Sequence, residues 1–375
     1  MDPRVRRQIR TLLPFFEIHT GGITPAGLPG EIYTKLDAPW EHLNYPRPIR
    51  KFVSLIIKVR RYIYYNLLKN YDRFFMDQTV KNFISKIKDI PFDLIIANDV
   101  ETFPLAVKLK KKNTRLIFDL HEFAPRQFED DKNWVNSRQA FCEYAVKNFL
   151  PLADASFTVG ELISLEYEKY CNIKPLVMTN ATEYKEFLTP LPVKNKIRMV
   201  HHGFAIAGRK IEEMILMMDY LNENYELYFL LSRDNDYLAQ LKKIAEKNKN
   251  IFFLDPVPSD KLAEELNKYD IGIYILAPTN INNFYALPNK FFEFVQARLA
   301  IAIGPSPEMA SYIKKHDLGV VAGEFTASSL ADEIRKLSAE KIMHFKNQSH
   351  RVALQLSSEP NKKLLLDTVN QLLKD

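Results

Sequence analysis

Four residues in the stretch YALPNKFFEFVQARLAIAIG have the types and spacing of a phosphate and sugar site: Pro288, Asn289, Lys290 and Glu293. Proline is preorganised for a first helical turn, so Lys290 falls near a helix N-terminus, where free N–H groups and the positive dipole end favour an anion. Glu293 lies three residues on, along the same helical face. A cation for phosphate beside a carboxylate for vicinal hydroxyls suits the diphosphate and ribose of a nucleotide. The plainer alternative is an i,i+3 surface ion pair, worth under about 0.5 kcal/mol. A second group follows the apolar run RMVHHGF, where Gly203 and Gly208 bracket a short turn and Arg209 and Lys210 stand at the mouth of the next helical pattern. Two cations there oppose the helix dipole by about a few tenths of a kcal/mol, and a bound diphosphate would reverse the sign. A solvated cationic pair is the alternative.

Acid–base candidates sit at two other strand ends. His121 and Glu122 close RLIFDLHE, and Asp99 closes DLIIAND. His121 and Asp99 could meet a sugar or an acceptor hydroxyl, or be a packed histidine and a strand-end cap. The tripeptide DND (234–236) matches a metal motif, but Asp236 before a helical pattern reads better as an N-cap. No HExxH, CxxC pair or carboxylate-rich cluster occurs, so no metal and no cofactor are expected.

These residues need a scaffold that presents strand ends. Candidate strands occur at 15–20, 93–99, 115–121, 155–160 and 175–180, then at 198–204, 226–232, 251–256, 271–278, 299–305 and 319–323. Runs apolar on both faces that alternate with helical patterns argue for α/β units with parallel sheets covered on each side. Such sheets bind ligands beyond the carboxyl ends of their strands. Helices are predicted at 209–222, 236–248 and 259–270, the last capped by Ser259, and a further one in NKKLLLDTVNQLLK. The segment 182–196, with two prolines and no apolar period, is predicted to be a linker. The expected domains are 1–185, 186–350 and a C-terminal helix within 351–375 that can pack back on the first.

A length of 375 residues accommodates two cores, and 46% hydrophobic with 26% charged residues excludes large-scale disorder. Two cysteines, Cys142 and Cys171, exclude a disulfide framework and fit a reducing compartment. No signal-peptide core or run of about 18 apolar residues is present. The net charge of +6 is unevenly spread: 47–71 holds seven Lys/Arg, no acid and interleaved Phe52, Tyr62, Tyr64, Tyr65 and Tyr71. Such a segment can lie on an anionic membrane surface or be a helical arm with a solvated basic side. Nucleic acid is not an expected partner, since it would leave the diphosphate and ribose features unused.

The ordered series HHGF, GRKIEEMI, PNKFFEFVQARLAIAIGPSPEM and GVV, with MDPRVRRQIRTL, IIANDVETFPLAV, RLIFDLHEF and FTVGELISLEY before it, resembles the large retaining glycosyltransferase family four over almost the whole chain. The resemblance implies the GT-B fold, two Rossmann-like domains facing across a cleft. It also implies transfer from a nucleoside-diphosphate sugar, UDP-sugar favoured, to a glycan or lipid-linked acceptor. Surface-polysaccharide synthesis such as capsule or lipopolysaccharide is the expected setting, in the cytoplasm or on the inner face of the plasma membrane. By that resemblance Arg209 and Lys290 bind the donor diphosphate, Glu293 holds its ribose, and His121 meets the transferred sugar. Gly203, Lys210, Tyr285 and Asn289 line the donor site, and Asp99, His121 and Glu122 are acceptor-side candidates. Two departures stand out. Tyr285 replaces the family's first glutamate, and the strand expected before the DPRV helix is missing. The alternatives are a non-hydrolysing nucleotide-sugar epimerase of the same fold and a catalytically silent binding subunit.

Overall fold

The computed structural model describes residues 2–36, 52, 55–56, 59–60, 62–76, 78–232 and 234–374. The chain forms two compact units, Met1–Val159 with Ile163–Met178 and Lys362–Asp375, and Gly160–Leu162 with Thr179–Asn361. The strands are β1 (Ile18–Gly22), β2 (Glu31–Lys35), β3 (Leu94–Asn98), β4 (Arg115–Leu120), β5 (Ala155–Thr158) and β6 (Leu176–Val177), then β7 (Ile197–Phe204), β8 (Tyr225–Ser232), β9 (Ile251–Leu254), β10 (Ile271–Tyr274), β11 (Ala300–Ile303) and β12 (Gly319–Val321). All pairings between them are parallel. The expected α/β class and the run of strands from 93 onward are therefore present.

In the first unit the order is β3-β4-β5-β6, and β1-β2 form a separate pair. Strand β2 was not anticipated, because EIYTK carries two charges in five residues and only a thin apolar pattern. Among the described residues no strand pairs with the free side of β3. Asp2 caps the Pro3–Leu12 helix by accepting from Arg4 N (2.6 Å), a favoured N-cap role. One face of that helix is polar yet buried: Arg4 and Gln8 are each 5% exposed. Leu12 joins Ile117, Phe157 and Met178 in a core that also takes Leu365 and Val369 of the Ser358–Lys374 helix.

In the second unit the order is β12-β11-β10-β7-β8-β9, a doubly wound sheet with β7 inside. Because successive strand residues face opposite sides, Met199, Ile273 and Ala302 enter one core, and Val200, Tyr274, Ile301 and Ile303 enter another. The second core is completed by Phe291, Phe292, Phe294 and Val295 of the Asn289–Gln296 helix, each burial worth about 1.5–3 kcal/mol. That helix lies close on the sheet because β10 carries Gly272, where an added Cβ would fall 2.4 Å from the Phe294 ring.

Residues 179–196 belong to this unit and not to a free linker. Buried Arg298 donates from its guanidinium to Lys185 O and Leu188 O, and Asn267 Nδ2 to Thr189 O. The predicted 209–222 helix is broken. Lys210 adopts φ 48°, and a regular helix runs only over Glu212–Met217 between short 3-10 turns. The predicted Ser259 cap is also replaced, since a Pro258–Lys261 turn intervenes and the helix is Leu262–Leu266. Asn235, not Asp236, caps the Asp236–Ala245 helix, its Oδ1 accepting from Leu238 N at 2.9 Å.

Candidate functional site

The carboxyl end of β7 and the start of the Asn289–Gln296 helix bring most of the donor-side residues together. Lys290 is the second residue of that helix and is 6% exposed, so the surface ion-pair alternative does not hold. Its Nζ lies 3.1 Å from His201 Nε2 and 4.2 Å from the centre of the Tyr274 ring, a cation–π distance. His201 Nδ1 is 3.0 Å from Ile273 O. A carbonyl only accepts, so Nδ1 carries the proton and Nε2 presents a lone pair to Lys290. Burial, and then the positive charge of Lys290, hold the His201 pKa well below the usual range. Burial lowers the Lys290 pKa, Arg209 lowers it further, and Glu293 partly offsets them.

Gly203, at φ 116°, is the penultimate residue of β7, still paired with Leu231 of β8; a Cβ there would stand 3.6 Å from Lys290 Nζ. The neighbouring His202 is buried, with its ring edge-on to Phe294 at 5.4 Å. Its Nε2 is 3.4 Å from Glu293 Oε2 but forms no hydrogen bond among the described residues. Burial, then Lys290, keeps His202 uncharged, so this is no ion pair. Glu293 itself is 20% exposed.

Arg209 ends the Ala207–Arg209 turn, half-buried, with no side-chain hydrogen bond or ion pair among the described residues. Its charge acts on Lys290, His201 and Tyr274. Lys210 is exposed. The amide after it, Ile211 N, donates to Tyr237 Oη at 2.8 Å. Asn289 opens its helix and is half-buried. Tyr285 ends the Ile281–Phe284 helix with its ring 5.2 Å from Phe284, and it makes no hydrogen bond or ion pair with Lys290, Glu293 or Arg209 among the described residues. His201, His202 and Tyr274 had no role assigned from sequence. The doubled histidine at a strand end was the available signal.

In the first unit, Asp119 of β4 is wholly buried and accepts from Arg4 Nε (2.7 Å), Arg4 Nη2 (2.8 Å) and Gln8 Nε2. Burial is the largest influence and opposes its ionisation, but Arg4 and His121 together outweigh it and hold its carboxyl far below the usual carboxylate range. His121 lies between this carboxylate and Asp99. Its Nε2 is 3.4 Å from Asp119 Oδ2 and from Asn98 Oδ1, and its Nδ1 is 3.2 Å from Asp99 Oδ1. Burial alone would lower its pKa; hydrogen bonding and attraction to Asp119, and then Asp99, outweigh burial and raise it. Each ring nitrogen therefore faces a carboxylate.

Asp99 is the half-exposed group of the pair. Its side chain makes no capping hydrogen bond, although its carbonyl accepts from Thr102 N (3.0 Å) and Thr102 Oγ1 (2.8 Å); the residue adopts φ 65° and ψ 148°, with its carboxylate turned to His121. Such a backbone costs about 1–3 kcal/mol and clusters at functional positions. Glu122 is exposed, and its carbonyl accepts from Tyr167 Oη at 2.7 Å. Among the described residues no group of three His, Cys, Asp or Glu is placed to hold a metal ion, and no helix is long and apolar enough to cross a membrane.

No protein-family model and no curated protein sequence matches the chain. Solved structures do. Sucrose-phosphate synthase from Thermosynechococcus elongatus is similar over 99% of this chain and 93% of its own, with TM-score 0.73 and 13% identity. WaaG, a glycosyltransferase involved in lipopolysaccharide biosynthesis, is similar over 97% and 94%, with TM-score 0.63 and 11% identity. Anabaena HepE in complex with UDP is similar over 78% and 82%, with TM-score 0.62 and 11% identity. The chain spans 58% of the length of the Staphylococcus aureus TarM structure, at TM-score 0.61 and 12% identity. The fold class is GT-B, two Rossmann-like units built on parallel sheets.

Proposed function

We propose that the chain is a glycosyltransferase that moves a sugar from a nucleoside-diphosphate sugar, UDP-sugar favoured, to a glycan or lipid-linked acceptor. The observation that carries this is the Lys290 and Arg209 pair at the carboxyl end of β7, two cations without a hydrogen-bonded carboxylate among the described residues, beside Glu293. A diphosphate supplies the missing negative charge. Charge grows on the leaving diphosphate as the glycosidic bond breaks, so these cations stabilise the transition state more than the ground state. Glu293 accepts from ribose hydroxyls. Asp99, with His121 behind it, is the proposed polar contact for the acceptor. Glu122 is a lesser candidate. The reaction needs neither protein nucleophile nor metal, and retention at the anomeric carbon is the expectation carried by the family resemblance.

Surface-polysaccharide synthesis at the inner face of the plasma membrane is the proposed setting. Exposed Phe52, Leu55, Ile56, Val59, Tyr62 and Leu67 support membrane contact through 47–71, while Tyr65 Oη accepts from Ala140 N (3.1 Å) and ties the segment to its unit. Co-sedimentation with anionic vesicles, absent with neutral ones, is expected; equal partition into both would remove this part. The donor site is tested by calorimetry with UDP on Glu293→Ala and Arg209→Ala. Both should lose binding by at least about tenfold, the scale of one lost charged contact. Wild-type affinity in both would retire the reading. Tyr285, in place of a carboxylate, favours one second reading, a silent binding subunit. UDP binding with no sugar transfer to any glycan or lipid acceptor, under conditions that retain binding, would select it.

A further inference from the structure

We propose that His201 holds the Lys290 amine ready for an anion, and that seating a nucleoside diphosphate against it draws one proton from solvent onto Nζ. This rests on the donor-site reading above. His201 is a positioning residue here. Its Nδ1–H is committed to Ile273 O at 3.0 Å, so only Nε2 faces Lys290, and it can only accept. Nζ is thereby fixed 3.1 Å from that nitrogen and above the Tyr274 ring.

Among the described residues, five side chains bear on the amine. Tyr274 from β10 offers a π face, and His201 and His202 from β7 are uncharged. Arg209 repels a charged amine, and Glu293 from the same helix attracts it. An ammonium buried with a neutral imidazole, an aromatic face and a neighbouring guanidinium is better off losing its proton than staying charged. The lowered Lys290 pKa agrees, with burial its first cause and Arg209 its second.

The space next to the amine at residue 203 holds no side chain, since that residue is glycine; a Cβ there would stand 3.6 Å from Nζ, in van der Waals contact with it. A diphosphate in that space reverses the balance of charge. The Nζ lone pair then takes a proton from a buffer acid, whose conjugate base stays in solution, and no other bond changes. Nζ takes that proton ahead of His201 because an alkyl amine is a stronger base than an imidazole, and His201 Nε2 remains the acceptor. Affinity should therefore rise as pH falls, about tenfold per pH unit, between the Lys290 pKa of the empty protein and that of the complex.

The test is calorimetry on the full chain with UDP, GDP and ADP in turn, at a pH of about 8. The nucleotide phosphates, with a second pKa of about 6, are already ionised there. Two buffers of different ionisation enthalpy are compared. For the tightest binder, the buffer dependence should report uptake of about one proton. Lys290→Arg, permanently charged, should bind without uptake. His201→Phe should weaken binding at least about tenfold, and His201→Gln, whose carbonyl can accept from Lys290, should recover most of it. Tight binding with no buffer dependence in the unaltered protein overturns this inference and leaves the donor site standing. No binding of any of the three by folded protein overturns both. If His201→Phe does not fold, the unaltered protein and Lys290→Arg still decide.

Discussion

Asp119 in the first unit and Lys290 in the second are both buried ionisable groups near strand ends, but their surroundings differ. Asp119 has Arg4 on two nitrogens, Gln8 and His121, so its charge is answered within the protein. Lys290 has a neutral imidazole, an aromatic ring and a repelling Arg209, with Glu293 acting only at longer range. A buried charge that is fully paired fastens a helix to a sheet. A buried amine left short of negative charge gives up its proton, and an anionic ligand can restore it.

The largest expected effect breaks the paired side. Asp119→Ala leaves Arg4 buried without its carboxylate and should lower the unfolding free energy by about 3–5 kcal/mol, read from urea denaturation. On the other side the sign reverses. Lys290→Met removes a buried, underpaired amine of similar shape, and should raise the stability of the empty protein by about 1–3 kcal/mol while abolishing nucleotide binding. A fall in the thermal midpoint would mean that Lys290 is already well paired. Gly203→Ala should destabilise by about 1–3 kcal/mol, because φ 116° strains any side chain, and should weaken UDP binding as well.

The smallest effects are in pH dependence. Asp119 has a depressed pKa, so its contribution is full above about 3.9 and is lost as pH falls. His121 has a raised pKa, so its contribution is full below about 6.5 and is lost as pH climbs through its folded value. His201 and His202, held uncharged, add to the acid-side loss below about 6.5. His121→Asn should flatten the alkaline decline of the thermal midpoint and, because His121 also helps depress the Asp119 pKa, move the acid limb to higher pH. An unchanged alkaline limb would show that His121 is not charged in the folded protein.

Local pattern was enough for much of this molecule. Apolar runs alternating with helical periods established a doubly wound α/β chain, because strands covered on both faces must be apolar throughout and their crossovers must be amphipathic. The same patterning located the strand ends where Asp99, His121 and Gly203 lie, and the Pro-Asn-Lys opening of the helix that carries Lys290 and Glu293. Where a cap or break depended on neighbours distant in sequence, pattern failed. Lys210 in a left-handed turn ended a helix that looked continuous, Asn235 took the cap assigned to Asp236, and Arg298 drew 185–188 out of a presumed linker. Only the tertiary structure decided that Lys290 is buried and not a surface cation. Its environment comes from β7, β10 and the turn at Arg209, up to 89 residues away in sequence, and the charge state of an amine is set by what surrounds it in space.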